Sequence, residues 1–177
     1  MSSFPHFLIS PFSHFRTFAL MENNDILRRL RFCFDYSDSK MMDIFASAEM
    51  KVTRAEISDW LKKEEDPAFQ KIHDVQLATF LNGIINLNRG KKEGPQMPAE
   101  ERLNNNIIFR KLKIALAMKD EDIIEVLKLV DFKVGKPELS AFFRAPSQPQ
   151  YRVCKDQILR NFLHGLQVKY RGPKEEA

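Results

Sequence analysis

The chain has little of what marks many functional classes. Its 177 residues include two cysteines, six glycines and one tryptophan. Cys33 and Cys154 fall at different places in the two halves of the chain, opposite Ala115 and Ile72, so they form no repeated framework and no CxxC pair; both read as small apolar residues in a reducing compartment. Of the four histidines, His6 and His14 fall near the start while His73 and His164 stand alone, without the spacing that a zinc site needs. Neither a metal nor a cofactor is expected. Gly-rich phosphate loops, HExxH and GxSxG are all missing, so no catalytic residue can be named and an enzyme is the least favoured class.

A secretory signal is missing too. The first 20 residues, MSSFPHFLISPFSHFRTFAL, are interrupted by Pro5, Pro11 and Arg16, lack a basic start and a small-residue cleavage site, and are too short and polar to span a bilayer. They read as a poorly ordered extension, with Met21 as a candidate native start. The expected location is the cytoplasm, away from membranes.

What is present is a folded composition, 44% apolar and 29% charged, and a duplication. Residues 23–90 laid over 105–172 align without a gap at an offset of 82, and about a quarter of the positions are identical. Among the matched pairs are Asn23/Asn105, Asn24/Asn106, Arg28/Arg110, Asp38/Asp120, Asp74/Asp156, Gly83/Gly165 and Arg89/Arg171. The division is an extension at 1–20, a first module at 21–90, a linker at 91–104, a second module at 105–172 and a tail at 173–177.

Apolar residues recur at i, i+3 or i+4, and i+7 in both copies, which predicts four helices per copy. The first is marked by Ile26, Leu30, Cys33 and Phe34, matched by Ile108, Leu112, Ala115 and Leu116. The second follows Asp38 or Asp120, read as caps. The third opens with the capping box Thr53-x-x-Glu56, and in the second copy with Lys136-Pro137-Glu138, proline near N1. The fourth starts at Asp74 or Asp156 and ends at Gly90 or Gly172. The fold class is therefore all-α: two tandem four-helix modules with approximate twofold symmetry. Leu30, Phe45, Trp60, Phe80 and Leu81 are expected in one core, and Leu112, Leu127, Phe142, Phe162 and Leu163 in the other. Gly83 and Gly165 interrupt the fourth helices, where glycine is costly; close packing accounts for them, with the two fourth helices meeting across the pseudo-axis as one candidate.

The functional candidates lie at the start of the first helix of each copy. Asn23 and Asn24, with Asn105 and Asn106, read as helix caps. Behind them come Arg28, Arg29 and Arg31, matched by Arg110, Lys111 and Lys113, assigned to the face opposite the apolar stripe. Free N–H groups, amides and a nearby guanidinium together suit phosphate or carboxylate, so these ten residues form the candidate anion-binding or partner-binding set. The copies differ in charge: residues 23–90 hold 10 basic and 11 acidic residues, while 105–172 hold 13 and 7. The second copy's surplus favours an acidic partner, nucleic acid among the candidates. The alternative is a protein–protein scaffold or homo-oligomer, with Trp60 as a partly exposed anchor.

The strings NNDILRRLRF, AEISDWLKKEED, LATFLNGIINLNRG, NNNIIFRKLKIAL and FFRAP, in this order, resemble the YehS-like family of uncharacterised bacterial proteins over about residues 22–172. The resemblance implies a duplicated cytoplasmic domain and carries no catalytic residue with it.

Overall fold

The computed structural model describes residues 21–173. The extension at 1–20, and the tail beyond residue 173, lie outside the described residues. Within them the chain is helical without a strand: α1 (Asn23–Phe34), α2 (Asp38–Ser47), α3 (Arg54–Leu61), α4 (Asp74–Arg89), then α5 (Asn105–Ala115), α6 (Asp120–Lys128), α7 (Lys136–Phe142) and α8 (Asp156–Arg171). The second four repeat the first four in order and in packing. α2 lies on α4 as α6 lies on α8, and α2 on α3 has its equivalent in α6 on α7.

Local chemistry sets the helix starts. Thr53 accepts from the Glu56 N–H while Glu56 accepts from the Thr53 N–H, a complete capping box, and Pro137 sits in the first turn of α7. Asp38 and Asp120 are not caps: Ser37 and Lys119 hold those positions, and the Ser37 hydroxyl accepts from the Lys40 N–H. The two carboxylates instead take cations from the preceding helix, Arg31 at 3.0 Å and Lys113 at 2.6 Å. A charge-assisted bond of this kind is stronger than a neutral cap.

The ten expected core residues are all buried, yet in one continuous apolar cluster rather than two. Two reciprocal junctions merge the modules: α4 packs on α5, and α1 packs on α8. The backbone N–H of Leu103, just ahead of α5, donates to Asp74 Oδ2 at 2.9 Å, and that of Met21, just ahead of α1, donates to Asp156 Oδ2 at 3.2 Å. Each module thus holds the start of the other.

The glycines serve a different contact from the one considered above. A Cβ on Gly83 would overlap the Ile44 carbonyl of α2, and one on Gly165 the Val126 carbonyl of α6. The close approach is inside each module, between its second and fourth helices, and not between α4 and α8.

Candidate functional site

The asparagines are not caps. Glu22 and Asn104 hold those positions, and the Asn104 side chain accepts from the Ile107 N–H at 2.9 Å. Asn24 is instead 1% exposed: its amide donates to the carbonyls of Trp60 (2.8 Å) and Gln70 (2.9 Å) and its oxygen accepts from the Ile72 N–H (3.2 Å). Asn106 repeats this with Phe142 O (3.0 Å), Arg152 O (2.8 Å) and Cys154 N–H (2.9 Å). Asn23 donates to Asp74 Oδ1 and Ile72 O, and Asn105 to Asp156 Oδ1 and Cys154 O. Both amide hydrogens of Asn24 and of Asn106 are spent, one on the last turn of the third helix and one on the segment that follows it. Those groups serve as internal clamps, not as anion donors.

Most of the cations also look inward. Arg28 donates to Lys62 O at 2.7 Å and pairs with Asp25; Arg110 donates to the carbonyls of Phe143 and Arg144 at 3.3 and 3.4 Å. Each guanidinium therefore sits at the C-terminal end of the third helix of its copy, where carbonyls are free and the dipole favours positive charge. Arg31 pairs with Asp38, and Lys113 pairs with Asp120 and stands 4.3 Å from the Phe143 ring centroid. Lys111 departs furthest from the solvated face assigned to it, being only 4% exposed. Its ammonium meets Asn82 Oδ1 at 2.5 Å and Glu100 Oε2 at 3.0 Å. Its position is three residues on from Ile108, in the apolar period. Arg29, its counterpart, is half-buried beside Cys33 and makes no ion pair among the described residues.

Two features lie beyond the expected set. The first is a cavity of about 730 Å³ between α4 and α5, roofed by the linker. Ile85, Met97, Ile107 and Ile114 form apolar walls, and Arg89, Lys92, Arg110 and Lys111 outnumber the single acid, Glu100. Asn82 secures the roof by donating to Met97 O at 3.4 Å while accepting from Lys111. Its one signal in the sequence is the Arg89/Arg171 match; the rest depends on how the linker that joins α4 to α5, which has no counterpart in the repeat, folds back over them.

The second is the loop of residues 144–155 between α7 and α8. Arg144, Arg152 and Lys155 are exposed, none joins an ion pair among the described residues, and the loop has no acidic residue. The matching loop, 62–73, offsets Lys62, Lys63 and Lys71 with Glu64, Glu65 and Asp66. Much of the charge difference between the copies is therefore concentrated here.

The thiols are held out of chemistry. Burial pushes Cys33 up to about 11 and Cys154 up to about 12, so both are protonated near neutrality and poor nucleophiles. Among the described residues no group of three or more His, Cys, Asp or Glu side chains is placed to hold a metal ion, and no helix is long and apolar enough to cross a membrane.

This duplicated architecture has relatives. Residues 23–90 and 105–172 each match the family described as "Protein of unknown function (DUF1456)". The chain belongs to that family. It is also 41% identical over 150 residues to the "Uncharacterized protein YehS" of Escherichia coli (strain K12), an alignment that covers 84% of this chain and 96% of that protein. No solved structure matches. The two family segments coincide with α1–α4 and α5–α8.

Proposed function

We propose that this protein is a non-enzymatic binding or regulatory module that engages an acidic partner, nucleic acid first among the candidates, through the second copy. One observation carries the reading: loop 144–155 presents Arg144, Arg152 and Lys155 to solvent with no acid to neutralise them, while the cations of α5 are engaged internally. Unpaired basic side chains on one loop suit phosphate backbones, whose condensed counterions are released on binding. The cytoplasm is the setting in which the thiols of Cys33 and Cys154 stay reduced. The scaffold reading loses its expected anchor, because Trp60 is 4% exposed and packs on Phe45.

Fluorescence anisotropy with labelled single- and double-stranded oligonucleotides at several salt concentrations tests this. Binding is expected to be sequence-tolerant, with Kd on the order of 10⁻⁴–10⁻⁶ M near physiological salt. Arg144→Gln, Arg152→Gln and Lys155→Gln together should weaken it and lower the log–log salt slope on duplex DNA by roughly 2 to 3. Absence of binding at about 50 mM salt, where phosphate contacts are little screened, would overturn the nucleic-acid reading.

A further inference from the structure

The duplication supplies an internal control for the cavity between α4 and α5. At the reciprocal α1–α8 junction, Arg171 ends α8 with its guanidinium 4.9 Å from the Phe32 ring centroid and 3.6 Å from Asp35 Oδ2. An aromatic face and a carboxylate thus complete that arginine from within the chain. The matching residue, Arg89, ends α4 and lines the cavity, but Ile114 stands where Phe32 stands and Ala117 where Asp35 stands. The Arg89 side chain has no hydrogen bond or ion pair among the described residues. The backbone of the turn is preserved. Asp35 and Ala117 share a left-handed backbone, φ 52° and 50°, and Asn88 donates to Ala115 O at 2.9 Å, which ties the end of α4 to the turn that carries Ala117.

We propose that the cavity binds a small carboxylate with an aromatic or similarly bulky apolar body, which supplies from outside the anion and the ring that the α1–α8 junction carries in its own sequence. The carboxylate pairs with Arg89, and the apolar body lies against Ile114, Ile85 and Met97. Those walls leave 43% of Ile114 and 65% of Met97 exposed, apolar surface that a bound ring would cover. The volume of about 730 Å³ lies within the usual range for a small-molecule site. Lys111 and Arg110 already have partners; of the two remaining lining cations, Lys92 lies on the linker and Arg89 ends α4 at the position that matches Arg171, so Arg89 is assigned the ligand's carboxylate. This site shares no lining residue with loop 144–155, which it meets through the Arg110 bond to the Arg144 carbonyl, and neither proposal rests on the other.

Calorimetric titration of phenylbutyrate into the full chain tests the proposal. Saturable one-to-one binding is expected, with none for phenylbutylamine, which has the same body and the opposite charge. Arg89→Gln should weaken binding about tenfold or more, the usual effect of losing a hydrogen bond to a charged group. Arg171→Gln, the same change at the other junction, should leave it unaltered. Ile114→Phe combined with Ala117→Asp should abolish it, because the chain then fills the site itself; aspartate accepts the left-handed conformation more readily than alanine. No uptake of phenylbutyrate at millimolar concentration, an equal loss in the Arg89 and Arg171 variants, or undiminished binding in the double variant would overturn it.

Discussion

The α1–α8 and α4–α5 junctions descend from the same positions of the repeat and differ in how they are finished. At the first, Tyr170 packs edge-on against Phe34 with ring centroids 5.1 Å apart, and Arg171 covers Phe32. At the second, the matching Asn88 and Arg89 meet a backbone carbonyl and an open cavity, and a buried lysine replaces a half-buried arginine. The backbone frame is common to both because the clamps that set it, Asn24 and Asn106 with Asp74 and Asp156, are identical. What varies is the side chains laid over that frame. Duplication lets one junction be closed by its own side chains while the other keeps an open cavity.

The comparison can be broken most forcefully at what is common to both copies. Asn24→Ala and Asn106→Ala each remove three hydrogen bonds and leave buried backbone groups unpaired, so each should cost roughly 3 kcal/mol or more. Urea unfolding should find the two losses equal within error; a large loss in one copy alone would show that the frames are not equivalent.

A smaller and unequal effect is expected where the junctions diverge. Lys111→Met leaves the Asn82 oxygen and the Glu100 carboxylate without their cation, at a cost of about 2 kcal/mol, moderated because the Glu100 side chain is 32% exposed. Arg29→Met should change stability by less than about 0.5 kcal/mol, since no ion pair is lost among the described residues. Equal costs from the same denaturation experiment would erase the distinction drawn between the two junctions.

The smallest effect concerns the thiols, which also differ between copies: Cys33 lies opposite Ala115, and Cys154 opposite Ile72. Their folded values, about 11 and about 12, stand above the 9.0 of an unhindered thiol. Below pH 9 both states hold the proton and stability is at its full value. Above it the unfolded chain releases protons that the folded chain keeps, so stability falls as pH rises. Between pH 9 and 10 the loss should be about 1–2 kcal/mol. Burial also raises Tyr36 and Tyr170, which start from 10.0 and so act at higher pH. Cys33→Ala with Cys154→Ile, each taking the other copy's residue, should flatten the pH 9–10 limb in thermal melts.

Local rules carried the reading of the sequence where the cause is local. The 3.6-residue period, the Thr53–Glu56 box and Pro137 act within a turn or two, and all three are where the pattern placed them. The asparagines misled because their partners lie 36 to 51 residues away, beyond the reach of any capping argument. A sign was there: Asn24 stands three residues before Leu27, and Asn106 three before Phe109, both fully buried. Lys111 follows the same logic. Its spacing from Ile108 put it on the apolar stripe, and the charge type overrode that inference although Asn82 and Glu100 satisfy the ammonium in place of water. Beyond the Arg89/Arg171 match the cavity left no sign, because linker residues without a counterpart in the repeat form its roof.

The reciprocal bonds from Leu103 to Asp74 and from Met21 to Asp156 bear on ancestry and on how the chain can be cut. A solitary module would leave the outward flanks of its first and fourth helices bare, and a second identical module, turned through half a revolution, would cover them with these same bonds. The fold is thus what a homodimer becomes when a short tether joins its subunits. Its two seams share a backbone and differ in their side chains. Severing the tether between residues 91 and 95, at the edge of the roof over the cavity, should give two fragments that find each other in solution.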